Sequence, residues 1–340
     1  MYYAHFGLKE EPFGPSPDPR FFYHTEQHQE ALATLYYGIQ QRRGFSLLLG
    51  RAGLGKTSVL TQLLQMLENK AETAYLPHPY FDRATLLDSI LLSLGLGTSS
   101  SIAQRHRMFY EYLMELRLSG KTCALIFDEA QDFDLRTLEA IRMLSNFETA
   151  SEKLVQIVLS GQPRLGETLA QPECEQLRQR INVVARLEPL SIGNVPDYIA
   201  HRVTTAGATT SLFTAEAVTA IAAASGGVPR NVNNICFNSL TLAFALDRHQ
   251  VGKEEVTEVL RDFNLTAGAP PVCNSSVAAS LGATQSAVVT VRRPTMPVQQ
   301  SPTLSVRFGE LKSSFRPALI AATLVLLAAG TLLSRVVGKF

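Results

Sequence analysis

The chain of 340 residues reads as an α/β protein with a parallel sheet and crossover helices, followed by an all-helical segment. Three observations predict this. Short apolar runs alternate with helical patterns between Phe45 and Leu187, as they do when a parallel sheet is crossed by helices. A glycine-rich loop, GRAGLGKT at Gly50–Thr57, joins the first run to the next helical pattern. From Ile192 to about Asp262 only helical patterns occur.

Residues 1–25 are rich in proline and aromatic side chains, from Phe6 through Pro12, Phe13 and Pro19 to Tyr23, and predict an irregular arm packed on something. A helix is expected over Glu26–Gln41, with Ala31, Leu32, Leu35 and Ile39 on one face. Phe45–Leu49 is wholly apolar, which fits a strand buried on both faces. Further strands are expected at Thr73–Leu76, Cys123–Phe127, Leu154–Leu159 and Val183–Leu187. Helical patterns lie at Ser58–Leu67, Ala84–Leu94, Ile102–Leu118 and Leu135–Asn146. The later helices are expected at Val195–Ala206, Ala215–Ala224, Arg230–Leu246 and Lys253–Asp262, two of them ending in the turn signals Gly207 and Gly226-Gly227. Residues 263–315, rich in Ser, Thr, Pro, Ala and Val, carry no sustained period and read as a flexible linker.

Composition excludes little but orders the alternatives. Lys and Arg number 31 against 30 Asp and Glu, a net charge of +1, so the whole-chain balance makes no electrostatic case for nucleic acid. The four cysteines, Cys123, Cys174, Cys236 and Cys273, lack the close spacing of a zinc or redox motif and read as reduced thiols. The start of the chain lacks the basic and apolar pattern of a signal peptide. Near the other end, Pro317–Ser334 reads PALIAATLVLLAAGTLLS, flanked by Arg316, Arg335 and Lys339. About 18 uncharged residues reach the lower range of a membrane-spanning helix, and the flanking basic side chains can snorkel.

The loop carries the first chemistry. Glycines let successive backbone N–H groups face a phosphate chain, and a helix that opens there adds positive potential. Gly50, Arg51, Ala52, Gly53, Leu54, Gly55, Lys56, Thr57 and Ser58 are the expected nucleotide contacts, with Lys56 on the β- and γ-phosphates and Thr57 on Mg²⁺. In Leu125–Glu129 an apolar strand ends in two carboxylates. Asp128 is the expected partner of Mg²⁺, and Glu129 the base that orients or deprotonates the attacking water.

These motifs resemble the bacterial AAA+ ATPases of the ExeA/GspA type, associated with general secretion, and their exosortase-linked relatives. The resemblance runs from about Tyr2 to Asp262. Its marks are FGLKEEPFGPSPDPRFFY at Phe6–Tyr23, the loop itself and IFDEAQDF at Ile126–Phe133. Further marks are LSNFET at Leu144–Thr149, LSGQPRL at Leu159–Leu165, LRQRI at Leu177–Ile181 and GGVPRNVNNIC at Gly226–Cys236. It implies a P-loop AAA+ core over 26–190 and a helical lid over 191–262, with ATP and Mg²⁺ bound between them in a homo-oligomer. It also implies that Arg230 is a lid arginine sensing nucleotide. Gln162 stands where relatives place a polar sensor, often Asn, so Ser160-Gly161-Gln162 departs from the pattern. Arg178 or Arg180, with a slight preference for Arg180, is the expected arginine finger aimed at a neighbour's γ-phosphate.

The expected function is a membrane-anchored ATPase acting on a partner in secretion or envelope export, with its ATPase domain in the cytoplasm and residues 316–340 as a single inner-membrane anchor. Secretion-type members continue beyond the membrane helix into a peptidoglycan-binding domain, and no such role is carried over to this sequence. A DNA-associated ATPase of the transposition type is the alternative. An anchor has a direct test: deleting Arg316–Phe340 should move the protein from membranes to the soluble fraction. Carbonate-resistant membrane association of the truncated chain would refute it.

Overall fold

The computed structural model describes residues 2–77 and 85–263, which all belong to one compact unit, Met1–Cys273. The linker from 264 onward and the apolar segment Pro317–Ser334 lie outside them. Among the described residues no helix is long and apolar enough to cross a membrane.

Five parallel strands form the sheet: β1 Phe45–Gly50, β2 Ala71–Leu76, β3 Thr122–Phe127, β4 Val155–Gly161 and β5 Ile181–Leu187. Their order is β2-β3-β4-β1-β5. The register pairs Leu125 with Ile157, Phe45 with Ile157 and, across the other side of β1, Leu48 with Ala185. Every residue of β1, β3 and β4 is buried, as the continuous apolar runs require of strands covered on both faces. Alternation then sorts the side chains. Phe45, Leu47, Leu49, Leu125, Phe127, Ile157 and Leu159 enter one core cluster with Ile90, Phe109, Leu113, Leu138 and Ile141. Leu48, Ala124, Ile126, Val158 and Leu187 enter the opposite one with Leu32, Leu35, Ile39, Leu60 and Leu63.

The helices that supply those partners are α2 Glu26–Gln40, α3 Lys56–Leu67, α4 Leu86–Ser93, α5 Ile102–Leu118 and α6 Leu135–Leu144. Side-chain caps start several of them: Thr25 on α2, Ser101 on α5 and Asp134 on α6. The strand edges differ from expectation by one or two residues. Two short helices, α7 Pro163–Leu169 and α8 Glu175–Arg178, occupy the stretch between β4 and β5, for which no helix was expected. The lid comprises α9 Val195–Thr205, α10 Ala215–Ser225, α11 Pro229–Ala245 and α12 Lys253–Asp262.

The N-terminal arm is not wholly irregular. It contains a four-residue helix, α1 Tyr2–His5, and a 3₁₀ turn at Pro19–Phe21. Its aromatics are split between the two halves of the fold. Phe6, Phe13 and Phe21 pack in the lid cluster, whereas the next residue, Phe22, packs in the cluster beneath α2 and α3. Arg202 on α9 is buried and fastens the arm: its Nε donates to Pro12 O at 2.6 Å. The guanidinium also lies over the rings of Phe21 at 5.1 Å and Phe13 at 5.9 Å, so arm and lid form one packed layer.

The core meets the lid through a tight backbone crossing. Leu190 N–H donates to Gly227 O at 2.8 Å. Gly227 has φ +72, and a Cβ there would lie 2.0 Å from Leu190 O. Gly226 also has a positive φ, +59, but faces open space. Gly226→Ala should therefore cost only the left-handed backbone penalty of about 1–2 kcal/mol. Gly227→Ala should lower unfolding free energy by clearly more, because the clash adds to the same penalty. Equal losses for the two variants in denaturant titrations would show that the crossing tolerates a side chain.

Candidate nucleotide site

The site grows from the carboxyl end of β1. There the strand gives way to the glycine loop, and α3 opens on Lys56 and Thr57, two residues earlier than the periodicity alone marked. Gly53 (φ +81) and Gly55 (φ +91) hold left-handed conformations that a side chain would strain. Gly53 also admits the lid: Arg230 N–H donates to Gly53 O at 3.2 Å. A Cβ on Gly53 would come within 2.8 Å of the Arg230 Cβ.

Ala52, Gly53, Leu54, Gly55, Lys56, Thr57 and Ser58 line a cavity of about 720 Å³ together with Glu129, Gln162 and Arg230. Residues of the arm from Glu11 to Tyr23 form another wall. Such a volume suits a small organic ligand. Gly50, with its carbonyl turned to Lys56, and the exposed Arg51 complete the loop without lining the cavity. Lys56 is buried, 5% exposed. Its Nζ donates to Gly50 O at 3.0 Å and Arg51 O at 3.4 Å. Burial pushes its pKa down, opposed by the nearby carboxylates of Glu129 and Asp128.

Asp128, directly after β3, is 2% exposed and collects donors from two neighbouring strands, from α3 and from the next residue. Its Oδ2 accepts from Thr57 Oγ1 at 2.8 Å and from Tyr75 OH, on β2, at 3.5 Å. Its Oδ1 accepts from Ser160 Oγ, on β4, at 2.8 Å and from Glu129 N–H at 2.9 Å. Burial, followed by the charge of Asp128, raises the Tyr75 pKa, so the phenol stays a donor. The hydroxyl and carboxylate of Thr57 and Asp128 are hard oxygen donors of the kind Mg²⁺ prefers, so the residues fit that ion.

Glu129 is the first residue after Asp128 and sits at φ 51, ψ 36, a left-handed conformation uncommon outside glycine. That strain, at a cavity wall, is where a functional residue is expected. Gln162 occupies the N-cap position of α7 without a side-chain capping bond and shares the cavity with Glu129.

The two arginines are not brought to this cavity. Arg180 precedes β5, whose first residue pairs with Phe45 at the start of β1. It therefore lies at the opposite end of the parallel sheet from the loop. Its Nη1 donates to Asn146 Oδ1 at 2.8 Å and to Ser145 Oγ. Arg178 closes α8, is exposed and, among the described residues, reaches only Ala170 O, at 3.4 Å.

Sequence reasoning missed His28, Tyr75, Gln131 and the part played by Ser160. His28 on α2 stands behind the loop. Its Nε2 is 3.1 Å from Leu54 O, an acceptor only, so Nε2 carries the proton. Its Nδ1 then accepts from the Thr25 hydroxyl at 2.5 Å. Burial holds its pKa below the ordinary imidazole value. The one signal for Ser160 was a hydroxyl near the end of a mostly apolar strand.

Residues 39–169 match the family described as AAA domain. General secretion pathway protein A of Aeromonas hydrophila is 40% identical over 253 residues, covering 74% of this chain. The chain spans 46% of the length of that relative. Cdc6p from Pyrobaculum aerophilum superposes with a TM-score of 0.60 at 19% identity, over 74% of this chain and 70% of that one. The RuvB Holliday junction branch migration motor of Thermotoga maritima gives 0.51 at 16% identity, over 71% and 70%. At those identities the two structures establish the fold alone, an α/β P-loop fold of the AAA+ kind.

His28 yields a pH test. An imidazole whose folded pKa lies below its unfolded value, near 6.5, binds fewer protons folded than unfolded. Its contribution to stability is complete above about pH 6.5 and is lost as pH falls through the lower folded pKa. His28→Gln keeps a donor and an acceptor but cannot titrate. Denaturant unfolding at pH 7 and pH 5 should show a smaller acid loss in His28→Gln than in the parent protein. Identical losses would mean that His28 is not the linked group.

Proposed function

Since the 253 matched residues make this chain an AAA+ P-loop protein of the ExeA/GspA type, we propose that it hydrolyses ATP to ADP and phosphate. The observation that carries the proposal is the junction of Thr57, Asp128, Ser160 and Glu129 beside Lys56 at the mouth of one cavity. Lys56 places its charge on the β- and γ-phosphates. Thr57 and Asp128 hold Mg²⁺, which neutralises charge on the phosphate oxygens when bound. Glu129 accepts the proton of the attacking water through Oε1, the oxygen without a hydrogen-bond partner among the described residues. Gln162 and Arg230 face the same cavity from the core and the lid and read the state of the nucleotide. Backbone contact between Arg230 and Gly53 gives the lid a direct hold on the loop.

The finger is assigned to a neighbouring subunit of a homo-oligomer. Arg180 is held by Ser145 and Asn146 of its own chain, so the exposed Arg178 takes the role. In the cell, the ATPase drives assembly or regulation of a secretion or envelope-export system at the inner membrane, through a membrane-protein partner. The likeness to general secretion pathway protein A supports that pathway.

Equilibrium titration and phosphate release test the reading together. Lys56→Ala should weaken Mg²⁺-dependent ATP binding. Glu129→Gln should bind ATP as the parent does while turnover falls about 10²–10⁴-fold, the usual cost of a positioned base. Arg178→Ala subunits should be inactive alone yet recover activity when mixed with Glu129→Gln subunits. Parent-like turnover of Glu129→Gln would exclude it as the base, and unchanged ATP affinity in Lys56→Ala would exclude the loop.

A further inference from the structure

Gln131 occupies the 3₁₀ turn Ala130–Asp132, immediately after Glu129. Its side-chain amide reaches in two directions. Nε2 donates to Glu129 Oε2 at 2.7 Å, and Oε1 accepts from the backbone N–H of Gln162 at 2.9 Å. A second contact from Nε2, to Asp132 Oδ2 at 3.2 Å, lies on the outer side of the turn. The orientation of the amide follows from its partners. Gln162 N–H can only donate and the Glu129 carboxylate can only accept, so the reverse placement would set donor against donor and acceptor against acceptor. Gly161 leaves the room for this bridge: a Cβ there would lie 3.0 Å from Gln131 Oε1 and 2.8 Å from Leu165 Cδ2. The backbone of Glu129 is left-handed, and the bond from Gln131 holds one of its carboxylate oxygens where the residue lines the cavity.

We infer that Gln131 is the positioning residue for Glu129, tying the carboxylate of the base to the end of β4 that carries Gln162. One carboxylate oxygen is fixed by the amide, and the other faces the cavity for the attacking water. The same amide couples two groups that face the cavity from separate strand ends. A shift of Gln162 toward the nucleotide is thereby transmitted to the base through a single side chain. The inference rests on Glu129 being the base.

Two near-isosteric variants test it. Gln131→Met removes both hydrogen bonds. Gln131→Glu keeps an acceptor for Gln162 N–H and loses the donor to Glu129. Both should lower kcat about tenfold, part of the roughly 10²–10⁴-fold that removing a positioned base costs. ATP affinity should stay at the parent value, which also reports that both variants are folded. In single-turnover assays of the Glu129→Gln protein, adding Gln131→Met should lower the residual rate no further, because the two act as one unit. Parent-like kcat in either variant would overturn the inference. So would the same tenfold loss in the Glu129→Gln background, or a fall in ATP affinity in step with kcat. Parent-like turnover of Glu129→Gln would remove the base reading and this inference with it. An inactive Glu129→Gln beside a fully active Gln131→Met would remove the inference alone.

Discussion

A buried carboxylate needs donors, and the need of Asp128 organises this protein. Left unpaired, an ionised group at 2% exposure would cost several kcal/mol. Its four partners come from the first turn of α3, from β2, from β4 and from the backbone of the next residue. Those donors meet only if β3 lies between β2 and β4 with all strands pointing the same way, the order observed. The requirement that satisfies a charge is thus also the one that sets Thr57 beside Asp128 and turns Glu129 toward the cavity.

The other wall of the site is made by a segment with little regular structure. The arm belongs to both halves of the fold because its adjacent aromatics Phe21 and Phe22 enter different apolar clusters. Arg202 holds it to the lid, while Gly53 and Arg230 hold the lid to the loop. A cavity closed in this way changes shape when any one of arm, loop and lid moves.

Behind the loop, polar side chains act through their hydrogen-bonding rather than their charge. His28 is kept neutral by burial and fastens Leu54 from one side. Ser160 holds Asp128 from the other. His28 also lines the cavity, whereas Ser160 does not, and each fixes a group at the site. Preorganisation of this kind lets charge be stabilised without rearrangement during reaction.

The sequence by itself determined everything that is written in consecutive residues. The loop Gly50–Thr57, the strand-end pair Asp128-Glu129 and the alternating apolar faces are local strings, and local sterics and periodicity read them directly. Most helices of core and lid followed for the same reason. Tertiary structure decided what depends on residues distant in sequence. Ser160 and Asp128 are 32 residues apart, and His28 and Leu54 26 apart, so no window of periodicity contains either pair. Arg180 bonds to Ser145 and Asn146, 35 and 34 residues before it, which is equally far outside any local window. The short helices α7 and α8 carried too few turns to show a period. Each of these was settled by packing and hydrogen-bond satisfaction, which act on neighbours in space rather than neighbours in the chain.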